Sequence, residues 1–145
     1  MKKPNQDWFN FYVKELEGAQ QQTFKAFDKY FLCPCCYLPT LTERQGWNIC
    51  LMCYWEDDGQ DDHNADKVLG GPNHDYSLTE ARANFCQYLI SYRPSDSPGF
   101  ENGIKKAELK KQVIEKYNLA MTATTIKERK KLLKEASALL RAIYK

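Results

Sequence analysis

Cys33-Pro34-Cys35-Cys36, answered across thirteen intervening residues by Cys50-Leu51-Met52-Cys53, is the stretch on which the fold turns. A two-residue gap lets a tight turn aim two thiolates at one ion, while backbone amides of the turn soften their charge. Two such turns, brought together by a short hairpin, close a tetrahedron. The spacing therefore predicts a zinc ribbon with Cys33, Cys36, Cys50 and Cys53 as ligands. Four thiolates leave no position for water, so the expected Zn²⁺ is structural rather than catalytic. Iron in a rubredoxin-like site is the main alternative, for which the intervening loop is short. Using Cys35 as a ligand would shrink the first gap to one residue, so Cys35 is expected to be a spare, modestly exposed thiol. Cys86, beside Phe85, is expected to be a buried one. His63 and His74 stand in polar loops and read as exposed or loop-bonded rather than ligating.

Working outward, residues 38–49 carry turn and strand types (Leu38, Pro39, Thr42, Gly46, Trp47, Ile49) and fit two short strands forming a hairpin. Residues 56–76 are acidic and turn-rich. Glu56, Asp57, Asp58, Asp61, Asp62 and Asp66 place six carboxylates within eleven residues. Three readings compete: a solvated loop, a divalent-cation site, and a partner surface. The cation reading lacks the alternating order and terminal Glu of an EF-hand loop. The partner reading uses Trp55, Glu56, Asp57, Asp58, Asp61 and Asp62, since clustered carboxylates beside an aromatic ring can dock on a basic cleft. Asp57 or Asp58 can instead cap local turns, with Arg82 a candidate partner for one of them.

The flanks read as helices. Phe9, Val13, Leu16, Phe24, Phe27 and Phe31 recur at helical spacing over 5–31, with a break near Gly18. Ser77 with Glu80, and Thr125 with Glu128, have the spacing of capping boxes that start two further helices. The first of these carries Ala81, Phe85, Tyr88 and Leu89 and should end before Arg93-Pro94. Residues 94–103 read as a connection. A helix over about 104–118 carries Leu109, Val113 and Tyr117. The last carries Leu132, Leu133, Ala136, Leu139, Leu140 and Ile143. The expectation is an α+β fold, mostly α, with a small zinc-ribbon hairpin flanked by about four amphipathic helices. It forms a single domain over 1–145, made of an N-terminal helix (1–32), the ribbon and acidic loop (33–76), and a helical part with a basic tail (77–145).

The 145 residues carry a formal net charge of +2, which hides a segregation. Residues 33–76 hold two basic and eight acidic side chains, net −6, whereas 101–145 hold twelve basic and five acidic, net +7. No apolar run of signal-peptide or membrane-spanning length is present, so a cytoplasmic location is expected, with no membrane partner. In a reducing compartment six cysteines favour metal ligands or buried thiols, with disulfides the alternative. No nucleophile elbow, phosphate loop or His-Glu-x-x-His pair is found, and a non-enzymatic protein is expected.

Cys33-Pro34-Cys35-Cys36 resembles the motif that names the bacterial CPCC family of cysteine-rich proteins. The resemblance continues through Ile49-Cys50 to Cys53, Trp55-Glu56-Asp57-Asp58-Gly59-Gln60-Asp61-Asp62, Gly70-Gly71-Pro72-Asn73 and Ser77-Leu78, then Ala81-Arg82-Ala83-Asn84-Phe85. It departs at Tyr37, where the family usually has Gly, and at Leu51, where it usually has Pro. Members are similar to small proteins encoded beside secreted antibacterial toxins, which implies an immunity role. The expected function is binding of a protein partner with a basic surface, a toxin domain of nuclease type, whose active site the acidic loop would occlude. The alternative is nucleic-acid binding by the basic C-terminal helices. It is disfavoured because ten of the twelve basic tail residues are lysines and the ribbon is acidic.

Overall fold

The computed structural model describes residues 26–144. The first described element is a two-residue-per-strand hairpin, β1 (Ala26–Phe27) and β2 (Tyr30–Phe31), paired antiparallel with Ala26 opposite Phe31. Asp28 turns it in the left-handed region, at φ 55°. Aspartate tolerates that region because its short side chain bonds locally. The helix expected over 5–31 is therefore wrong over 26–31, where a strand pair replaces it. The rest of that helix lies outside the described residues.

The hairpin expected between the cysteine pairs is also displaced. Residues 33–55 form two tight turns, each closed by a single β-bridge, Phe31 to Leu41 and Ile49 to Glu56. The fold class nonetheless stands: the described residues are α+β, mostly α, with one small hairpin among them.

Four helices follow among the described residues: α1 (Leu78–Tyr88), α2 (Gly99–Ile104), α3 (Ala107–Thr122) and α4 (Ile126–Ile143). Ser77 and Thr125 cap α1 and α4, their hydroxyls accepting from the amides of Glu80 and Glu128. The Glu80 carboxylate binds Arg93. α1 stops earlier than the Arg93-Pro94 signal, because Leu89 turns left-handed at φ 61° and its amide closes on Phe85. The connection expected over 94–103 contains α2. Gly103 is needed there by close approach, since a Cβ would fall 2.7 Å from the Ile90 side chain. α3 runs past Asn118 to Thr122.

α3 and α4 form an antiparallel hairpin, with Lys116 paired to Glu135 and Lys106 Nζ reaching the Ile143 carbonyl. Its buried face (Val113, Ile114, Tyr117, Ala120, Leu132, Leu133, Ala136, Leu140) joins Phe27, Leu38, Trp55 and the cysteine turns in one apolar cluster. Leu109 and Leu139, expected on that face, are exposed.

Candidate metal centre

The two cysteine turns share one hydrogen-bond pattern. In the first, the Tyr37 amide donates to the Cys33 carbonyl at 2.8 Å and the Cys33 amide to Leu38 at 2.9 Å. In the second, Tyr54 donates to Cys50 at 2.7 Å and Cys50 to Trp55 at 2.9 Å. Both turns need a left-handed residue straight after the second cysteine, and both place a tyrosine there, at φ 64° and 68°. Tyr37 thus adopts the conformation a glycine would supply more cheaply.

These turns bring Cys33, Cys36, Cys50 and Cys53 together, all buried, with their sulfurs within 4.8 Å of one another. Cys33 Sγ lies 3.6 Å from Cys53 Sγ, and Cys36 Sγ lies 3.7 Å from Cys50 Sγ. Sulfurs at about 2.3 Å from a central ion would be about 3.8 Å apart along each edge of a tetrahedron. The four therefore fit a single metal ion, and four sulfurs close its coordination. Burial raises the Cys33, Cys36 and Cys53 thiols well above their ordinary range. Burial also acts upward on Cys50, but bonds from the other three thiols and from Thr40 outweigh it and hold Cys50 well below its ordinary range. The Thr40 hydroxyl is 3.1 Å from Cys50 Sγ, and the Cys35 amide donates to Cys33 Sγ at 3.4 Å. Such donors stabilise thiolate charge.

Cys35 is not among the four, but neither is it exposed, as expected; it is only 2% accessible. It corresponds in its turn to Met52, which is fully buried. A spare cysteine in an apolar position is a core residue, and sequence spacing alone does not show that. Cys86 is half-buried rather than buried, and His63 and His74 are both exposed.

The acidic loop is occupied with its own folding. Asp57 is 1% exposed and accepts from Arg44 Nε at 2.9 Å, the Gln45 amide at 2.7 Å and the Gly59 amide at 3.2 Å. Asp61 takes Arg44 Nη1 at 2.9 Å and caps the Asp62 amide. Asp58 caps Gln60 and meets Asn73. Asp62 pairs with Arg82, and Asp66 accepts from Thr79. Glu56 is held through its backbone, which exchanges bonds with the Asn73 side chain. Trp55 is 1% exposed and packs in the core. Of the six residues expected to meet a partner, Trp55 and Asp57 have no surface to offer, and Asp62 alone is well exposed. Arg44, whose side chain is 2% accessible, was not singled out by sequence. Its only signal was being one of two cations in the acidic segment.

The described residues thus define a small cysteine-turn protein with a buried four-thiol centre, backed by a helical hairpin. Residues 31–93 match the family described as Cysteine-rich CPCC. No curated protein and no solved structure matches the chain. Among the described residues no helix is long and apolar enough to cross a membrane.

Proposed function

We propose that this is a non-enzymatic binding protein in which a structural Zn²⁺, held by Cys33, Cys36, Cys50 and Cys53, fixes a recognition lobe for a basic protein partner. Zinc is the ion that an all-thiolate, closed, redox-silent tetrahedron suits best. The resemblance to the CPCC family, which implies an immunity role, directs the partner reading towards a toxin domain.

Trp47 carries this reading. It is 59% exposed, yet its backbone is held at φ 65° with its amide bonded to the Asp57 carbonyl. An exposed tryptophan on a pinned, left-handed backbone is an anchor set in advance of binding. Ile49, Val68 and Leu69 of the same lobe are also more than half exposed. Glu43, Asp62, Asp66 and Asp75 are exposed carboxylates around this part of the chain. The anchor is therefore Trp47 in place of Trp55, its amide held by the carbonyl of Asp57, whose carboxylate in turn holds Arg44.

The test is calorimetry against the protein encoded by the adjacent open reading frame. Binding that Trp47→Ala weakens at least tenfold supports the reading. A neighbour that encodes no toxin-like domain, or affinity unmoved by Trp47→Ala, rejects it.

A second reading has its own observation. Lys29, Lys130, Lys134 and Arg141 line a concavity of about 530 Å³ with Tyr30, Ser137 and Asp28. None of the four cations has an ion-pair partner among the described residues. This arrangement favours a polyanion such as nucleic acid. Anisotropy of a labelled single-stranded oligonucleotide at low salt separates the two: salt-sensitive binding lost in Lys130→Gln/Lys134→Gln supports the second reading, and no binding dismisses it.

A further inference from the structure

Lys110 is the most deeply buried cation among the described residues. It lies on α3 with an accessibility of 0%. Its Nζ donates to the Leu89 carbonyl at 2.7 Å, and no carboxylate of the described residues lies within ion-pair distance. Leu89 presents that carbonyl from the left-handed end of α1. Two residues on, the Ser91 amide donates to the carbonyl of Cys53 at 2.9 Å. The ammonium is therefore delivered from the helical hairpin to the back of the second cysteine turn.

A buried ammonium with one neutral acceptor is unfavourable unless an opposite charge lies nearby. Four thiolates around a divalent ion leave a net charge of −2. We propose that Lys110 is the counter-charge of the metal–thiolate centre, a positioning residue that secures metal retention and docks the α3–α4 hairpin on the loaded site. The inference rests on the reading of the four cysteines as a metal centre. Burial draws the Lys110 ammonium down to about 8, and the charged groups that act on it are the Cys53, Cys50 and Cys36 sulfurs, which favour the ammonium, and Lys106, which opposes it.

The experiment compares the full chain with Lys110→Arg and Lys110→Met. Zn²⁺ affinity is measured by chelator competition, and Co²⁺ substitution reports the thiolate-to-metal absorption. A counter-charge role predicts that Arg stays within about threefold of the parent, while Met loses about tenfold or more, the range for groups that support metal ligands. It also predicts faster hydrogen exchange in the hairpin of loaded Lys110→Met. A packing role predicts the reverse order, with the apolar Met retaining metal and the bulkier Arg losing it. Equal affinity of Met and parent overturns the proposal while leaving the metal centre intact. A parent chain that takes up neither ion overturns the metal reading itself. Should the Met chain lose its helical signal, Lys110→Gln against Lys110→Arg gives the same ordering test.

Discussion

At the scale of single residues, two cysteines one position apart have opposite jobs. Cys36 is part of the four-sulfur cluster, whereas Cys35 occupies the apolar slot that Met52 fills in the companion turn. Cys36→Ser is expected to abolish stoichiometric metal binding, and Cys35→Ala to keep it, by elemental analysis of the purified chains. Loss of metal from Cys35→Ala would show the ligand set to be wrong. Arg44 makes a second residue-scale case. Its guanidinium holds the buried carboxylate of Asp57, which also gathers the Gln45 and Gly59 amides. Arg44→Met leaves Asp57 buried without its cation and should cost about 3–5 kcal/mol in denaturant unfolding. An effect under about 1 kcal/mol would mean that water reaches the pair. The ligand spacing was readable from sequence because the chemistry of two thiolates on one turn is local. The fate of the carboxylates was not, because it depends on Arg44, thirteen residues from Asp57, folding across the loop.

At the scale of elements, capping residues marked the starts of α1 and α4 correctly because a cap is a contact three residues long. Thr125→Ala should therefore destabilise the chain by about 1 kcal/mol in thermal unfolding. Asn at the same position should restore most of the loss, which a packing role for Thr125 would not allow. Ends were less readable. α1 stops at a leucine in a left-handed conformation, with no glycine to announce it. The helical spacing of Phe24, Phe27 and Phe31 is equally open to another use. Phe27 and Phe31 stand on the two strands of a hairpin whose register is set by the turn at Asp28. A short apolar run does not distinguish these outcomes.

At the scale of the whole molecule, the metal centre and the ion pairs impose a pH dependence of one sign. Three of the four thiols, those of Cys33, Cys36 and Cys53, are held upward, so protons compete with the ion and metal affinity falls as pH falls. The Arg93 guanidinium, bonded to Glu80 and Asp75, holds both carboxylates below their ordinary range. Their contribution is complete above about pH 4.5, the usual value for Glu80, and is lost as pH falls through the lowered values. Chelation at neutral pH should unfold the cysteine turns and lower the melting temperature, and re-addition of Zn²⁺ should restore it. Acidification below pH 4.5 should give a further loss that zinc does not reverse. A chelated chain with an unchanged melting transition would show that the apolar cluster holds the lobe without an ion.

The two tyrosines at the left-handed corners tie the halves of the centre to different parts of the protein. Tyr37 lies beneath Arg82 of α1, with the guanidinium 5.1 Å from its ring, and Arg82 also donates to the Pro34 carbonyl at 2.8 Å. Tyr54 stacks at 5.3 Å on Tyr144, which follows the last turn of α4. Through these tyrosines one thiol pair answers to α1 and the other to the last turn of α4, and a helix frays most readily in its last turn. The two pairs should let go in sequence, Cys50 and Cys53 ahead of Cys33 and Cys36. A scavenging thiol or competing chelator would then enter from the side of α4.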